Sequence, residues 1–248
     1  MRQYGLIGYP LSHSWSATHF EKKISREGIT DASYRLFPLQ DIRHFPALIR
    51  ERPLLRGLNV TIPYKERIIP YLNALSDTAR AIGAVNTIAI EQGGRDPFLT
   101  GHNTDAYGFS RSLEINGITS PVRALVLGTG GASKAVCHVL DARGWDYLLV
   151  SRKSTGGQTI NYGDLEARHL ETHPLIINTT PLGMFPDTQG HPPIPYGHLS
   201  GKNILYDLVY NPEQTRFLAL GKSKGCRIVG GLQMLVLQAE RSWEIWNS

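Results

Sequence analysis

The passage from Arg123 to Arg143 constrains the fold most. Arg123 to Leu127 is a short, continuous apolar run. Gly128-Thr129-Gly130-Gly131-Ala132-Ser133 follows at once, and a helical pattern runs from Gly131 to Arg143. A strand fed straight into a helix through glycines is the opening of a βαβ unit. The tight turn needs residues without a Cβ, and a parallel return needs a helical crossover. Tyr147 to Val150, Leu175 to Asn178 and Asn203 to Asp207 read as the strands that follow. Apolar runs that do not alternate are buried on both faces. This half therefore predicts a parallel sheet covered by helices on both sides.

The first half also alternates strands and helices. Tyr4 to Gly8, Ala32 to Phe37 and Arg56 to Val60 read as strands; Ser14 to Glu27, ending at Gly28, and Asp41 to Arg50 read as helices. Pro63 is expected to open a further helix, where its missing N–H costs nothing. Ala84 to Ile90 and Phe98 to Gly101 form two more strands joined at Gly93-Gly94. Thr104 can cap a helix that runs to about Asn116. Gly230 to Trp246 is amphipathic. Leu232, Val236, Ala239, Trp243 and Trp246 recur at spacings of three and four, and this last helix is expected to pack back on the first domain.

With 248 residues the chain has room for two cores. It has no apolar run long enough to cross a bilayer and no secretory pattern at its start, so a cytoplasmic location is expected. Cys137 and Cys226 form no C-x-x-C pair, and no His/Cys cluster has ligand spacing, so both read as reduced packing residues and no metal site is expected. The net charge of +5 is spread along the chain. That argues against nucleic-acid binding and suits small anionic ligands.

The glycine turn has the form G-x-G-x-x-G with Ser133 in the third position. A pyrophosphate needs backbone N–H donors and close approach, which Gly128, Thr129, Gly130, Gly131 and Ala132 supply at a helix N-terminus. The strand before and the helix after are the context this motif requires. The next strand ends in Ser151-Arg152-Lys153. No acid stands there to hold a ribose 2′-hydroxyl, and two cations do. A carboxylate would repel a 2′-phosphate, whereas a guanidinium grips it by two bonds, so NADP is expected over NAD. Alone, the same residues would make a solvated basic turn.

A hydride delivered to a carbonyl leaves an alkoxide that needs a proton. Lys65 is the candidate donor. In the first turn of a helix opened by Pro63 it would meet the positive end of the helix dipole, which favours the neutral amine. Asp105 is the candidate partner that would hold it. Ser12 to Ser16 offer hydroxyls at a helix start, either a seat for a carboxylate or a simple cap made by Ser14. His13 has no acid or nucleophile pattern beside it and reads as structural.

Taken together these segments resemble the shikimate dehydrogenase family. Gly8-Tyr9-Pro10-Leu11-Ser12-His13-Ser14-Trp15-Ser16 is similar to its start, and Asn59-Val60-Thr61-Ile62-Pro63-Tyr64-Lys65 to its lysine motif. Ile82 to Thr87, Gly101 to Asp105, the glycine turn, Asn178 to Met184, Asp207 to Pro212 and Gly231 to Gln238 follow in order. One departure is Ala17, where the family usually has Pro. The resemblance implies an α/β fold of two domains. Residues 1–103 would be an α/β substrate domain to which 232–248 return, and 104–231 a Rossmann-type NADP-binding domain with a parallel sheet. It implies reversible, NADPH-dependent reduction of 3-dehydroshikimate to shikimate, a step toward chorismate and the aromatic amino acids. It also implies a small-molecule partner and a monomer or homodimer. Lys65 and Asp105 would be the catalytic pair. Ser14 and Ser16 would bind the substrate carboxylate, with Tyr210 near that end, and Thr61, Asn86 and Gln238 would hold ring hydroxyls. Met184 and Leu208 would lie against the nicotinamide, and Gly231 would approach it closely.

Overall fold

A computed structural model describes residues 1–11, 14–94, 96–153 and 157–248. The chain divides into two units, Met1–Thr104 with Ala239–Ser248, and Asp105–Gln238. Each unit carries a six-stranded sheet.

The first unit runs β1 (Arg2–Gly8), α1 (Trp15–Arg26), β2 (Ala32–Pro38), α2 (Phe45–Glu51), β3 (Leu55–Val60), β4 (Ala74–Leu75), α3 (Asp77–Ile82), β5 (Thr87–Glu91) and β6 (Phe98–His102). Its sheet has the order β2-β1-β3-β5-β6-β4. It is mixed, because β5 runs antiparallel to both β3 and β6. Side chains alternate across the strands, and both faces are covered. Tyr4, Leu6, Ala32 and Tyr34 pack with Phe20 of α1 and with Ala239 and Trp246 of the last helix. Ile7 and Phe37, on the opposite face, pack with Phe45 and Ile49 of α2. Trp246 donates to the Ile88 carbonyl at 3.0 Å. A Cβ on Gly57 would overlap its ring, so that glycine is the space the indole fills.

The second unit contains α4 (Thr104–Ile115), β7 (Ala124–Leu127), α5 (Gly131–Ala142), β8 (Tyr147–Ser151), β9 (Thr159–Asn161), α6 (Ala167–Thr172), β10 (Leu175–Asn178), β11 (Ile204–Asp207), α7 (Arg216–Ser223) and β12 (Arg227–Val229). Its order is β12-β11-β10-β7-β8-β9, and every pairing is parallel. All four residues of β7 and all four of β10 are buried, as two covered faces demand. The sequence reading passes over β4, α3, β9, α6, α7 and β12. Each has eight residues or fewer, too short for a periodic signal.

Two expectations need correcting. Pro63 opens no α-helix. Residues 62–68 form successive turns that end in one 3-10 turn at Ile69–Tyr71. The Lys65 carbonyl accepts from the Val85 N–H at 2.7 Å, so it is taken by a neighbouring segment rather than by the N–H four residues on. Ile69 donates to Glu66 instead. The helix-dipole argument for Lys65 therefore falls.

The buried line of α8 (Leu232–Trp246) also differs from the apolar stripe. Leu232 is 40% exposed, while Met234, Gln238, Ser242 and Trp246, at spacings of four, are buried together with Ala239. Two polar residues sit on that face because each has partners there. Ser242 is hydrogen-bonded throughout, and Gln238 packs on Gly108, whose added Cβ would lie 3.0 Å from its own.

Candidate functional site

In the second unit the strand order reverses between β7 and β10. Ligands of open α/β sheets bind outside the carboxyl ends of the strands at such a point. Gly128 follows β7 there with φ of +109°, a conformation L side chains rarely adopt. Its absent Cβ would lie 2.8 Å from Thr179 Oγ1 and 3.0 Å from Thr180 Cγ2. Thr179, after β10, donates to the Leu127 carbonyl at 2.7 Å and so ties the two strand ends together. Gly130 caps α5 with extended backbone and no side chain, and a Cβ built on it meets nothing within 4 Å. Thr129 is exposed, and Gly131 and Ala132 are half-buried. The α5 N-terminus thus stands open to an anion, with the positive end of the dipole behind it. Ser133 is buried beneath, 3.9 Å from Cys137 Sγ. These residues fit a dinucleotide: backbone donors, a turn no larger residue can make, and an unfilled cradle.

Ser151 ends β8, and Arg152 and Lys153 are exposed beyond it. Lys153 N–H donates to Ser151 Oγ at 3.4 Å. Burial pushes the Tyr162 phenol up to about 12, against the pull of the nearby Arg152 charge. Leu208 is half-buried and Met184 is 40% exposed. Gly231 is buried against the backbone of Leu208 and Val209 and leaves no room for a Cβ. Burial raises the Tyr210 phenol above its usual value. Asp105 is buried in the first turn of α4, and Gln238 is buried on α8, its Nε2 donating to the Leu235 carbonyl at 3.0 Å.

In the first unit, Ser14 precedes α1 but makes no side-chain cap bond, so the simple capping role is not what it performs. Ser12 and His13 lie outside the described residues. Thr61 is half-buried just past β3, its N–H on the Ile7 carbonyl and its own carbonyl on Tyr64 N–H, both at 2.9 Å. Lys65 is half-buried on the following turn, which Tyr64 anchors by donating to the Leu39 carbonyl at 2.6 Å.

A buried polar chain runs beneath these residues, and sequence reasoning missed it. The Tyr34 hydroxyl, hydrogen-bonded to Ser16, donates to Asn59 Oδ1 at 2.8 Å. Asn59 Nδ2 donates to Ser242 Oγ at 3.0 Å, and Ser242 meets Thr87 at 2.7 Å and Thr104 at 3.2 Å. Thr104 ends the chain at Asn86, which is 3% exposed. The Thr104 N–H donates to Asn86 Oδ1 at 2.6 Å and Asn86 Nδ2 donates to Thr104 Oγ1 at 2.9 Å. The backbone N–H fixes the amide oxygen on its own side, so the Asn86 amide has one orientation. The available signal was Asn59 itself, a polar residue between the apolar Leu58 and Val60, which burial obliges to find partners. Of the expected site residues, then, the first unit holds Ser14, Ser16, Thr61, Lys65 and Asn86. The second holds Asp105, Tyr210, Gln238 and the whole nucleotide set.

A six-stranded parallel sheet in this order, with a glycine turn at its reversal and an open helix N-terminus, defines a dinucleotide-binding α/β protein that carries a second α/β unit. Comparison with known proteins narrows this. Residues 6–88 match the shikimate dehydrogenase substrate binding domain. An NADP(+) shikimate dehydrogenase of Clostridium beijerinckii is 40% identical over 100% of this chain and 92% of its own length. One from Oleidesulfovibrio alaskensis is 39% identical over 98% and 89%. The Thermus thermophilus shikimate 5-dehydrogenase, solved in complex with NADP(H) and shikimate, superposes with a TM-score of 0.86 at 30% identity, covering 99% of this chain and 93% of that one. The chain belongs to the shikimate dehydrogenase family. No helix among the described residues is long and apolar enough to cross a membrane.

Proposed function

We propose that this protein reversibly reduces 3-dehydroshikimate to shikimate with NADPH, and that Lys65 and Asp105 are its acid–base pair. The observation that carries the reading is the glycine turn at the reversal of the parallel sheet, in a chain that matches NADP-dependent relatives over nearly its full length. Gly128, Thr129, Gly130, Gly131 and Ala132 take the pyrophosphate. Ser151, Arg152 and Lys153 take the 2′-phosphate, and Met184, Leu208 and Gly231 flank the nicotinamide. Bound NADPH would supply the hydride.

The chain's own residues do the rest. Ser14 and Ser16 receive the ring carboxylate, with Tyr210 near it. Asn86, Thr61 and Gln238 hold the hydroxyls. The single orientation of the Asn86 amide supports this, because a rigid donor–acceptor pair selects one pose of a polyhydroxylated ring. Lys65 Nζ delivers a proton to the carbonyl oxygen as the alcohol forms and takes it back in reverse, while Asp105 orders the amine.

The test is absorbance of reduced nicotinamide on mixing shikimate and NADP with the protein. Lys65→Ala should lose about 10²–10⁴-fold in kcat with a much smaller change in KM. Near wild-type turnover in that variant would refute the proton-donor role, and absence of any shikimate-dependent signal in the wild type would refute the activity.

A further inference from the structure

Among the described residues the mechanism leaves one buried carboxylate unused. Asp207 ends β11 beside Asn178 at the end of β10, and both side chains are 0% exposed. Asp207 Oδ1 accepts from Asn178 Nδ2 at 2.9 Å and from the Val209 N–H at 3.0 Å. Its Oδ2 accepts from Thr215 Oγ1 at 2.5 Å. Among the described residues, all three hydrogen bonds to this carboxylate come from donors, an arrangement that only the ionised group satisfies in full.

The bonds continue outward in two directions. Asn178 Oδ1 accepts from Thr180 N–H at 3.0 Å and Thr180 Oγ1 at 2.6 Å, and Thr180 Oγ1 accepts from the Leu182 N–H. Thr215, the cap of α7, also backs Gly183, whose added Cβ would lie 3.5 Å from the threonine Cβ. On the other side Val209 accepts from the Gly231 N–H at 3.2 Å. One carboxylate therefore fixes the backbone that carries Met184, Leu208 and Gly231.

We propose that Asp207 is a positioning residue for the cofactor, holding the loops after β10 and β11 in the one arrangement that admits the nicotinamide. This rests on the reading that NADPH occupies this end of the sheet. Burial pushes the carboxyl up to about 6, so at neutral pH the ionised form persists against its surroundings and is not the cheapest way to fill the space. Hydrogen-bond geometry, rather than packing, is what it supplies.

Calorimetric titration with NADPH and, separately, with shikimate tests this without turnover. Asp207→Asn should weaken NADPH binding fivefold or more and leave shikimate affinity within twofold. Thr215→Val, which removes only the Oδ2 donor, should shift NADPH affinity in the same direction, and Thr215→Ser should restore it. If Asp207→Asn does not fold, the Thr215 pair decides. NADPH affinity within twofold of wild type in both Asp207→Asn and Thr215→Val overturns the proposal, and so does an equal loss for both ligands. A wild type that binds NADPH but never oxidises shikimate overturns the activity while leaving this inference intact. A wild type that does not bind NADPH overturns both.

Discussion

Replacing Gly231 with alanine adds one methyl group where the structure has no space. The new Cβ would overlap the Leu208 carbonyl oxygen and lie 2.6 Å from its carbon and 2.9 Å from the Val209 oxygen, where ordinary contact begins at 3.4 Å. All of these neighbours are backbone, so no side chain can swing aside. The Leu208–Val209 segment must retreat by about 1 Å, or Gly231 must. Overpacking of this kind costs about 1–3 kcal/mol. At roughly 2–4 °C per kcal/mol, that lowers Tm by about 2–12 °C. With Gly231 in its proposed place beside the nicotinamide, a displacement of about 1 Å costs about 10²-fold in rate. Gly231→Ala should therefore show both effects together, read by thermal melting and by the shikimate assay. A variant that melts within about 1 °C of wild type and keeps more than half its kcat would show that the contact is not there, because overpacking predicts a larger shift.

Arg152→Ala should raise KM for NADPH about tenfold, the low end for a charge-assisted bond at an exposed site, with little change for NADH; equal changes for the two nucleotides would contradict a 2′-phosphate contact. Burial raises the Asp207 carboxyl from 3.8 to about 6, so the folded chain holds a proton that the unfolded chain releases near 4. Its contribution to stability therefore falls as pH rises from about 4 to about 6, by about 3 kcal/mol in all. The Tm of wild type relative to Asp207→Asn should decline across that window, and a pH-independent difference would refute the assignment.

The strands of the parallel sheet and the turn after β7 were readable because each depends on its own residues. Leu125 and Val126 must be buried wherever the chain goes, and Gly128 must be glycine for any turn so tight. Lys65 lies on a turn and not on the expected helix for the opposite reason. Nothing near Pro63 in sequence announces that Val85 will claim the Lys65 carbonyl. The line Tyr34–Asn59–Ser242–Asn86 joins four segments, and each member alone passes for an ordinary polar residue. Asp207 and Asn178 were both visible within motifs. Their pairing follows only from the register that sets β11 beside β10. The buried face of α8 departs from its apolar stripe because burial follows hydrogen-bond partners as well as hydrophobicity, and Gln238 and Ser242 are enclosed by virtue of theirs.

The first unit is discontinuous: it leaves the chain at Thr104 and is rejoined only at Ala239. Tyr4, Phe20 and Tyr34 meet the Trp246 ring only once the chain has run through the whole second unit. The second unit, by contrast, is contiguous. In chain order the second unit is therefore complete before the first, and until α8 is added the face formed by Tyr4, Leu6 and Tyr34 is covered, among the described residues, by α1 alone.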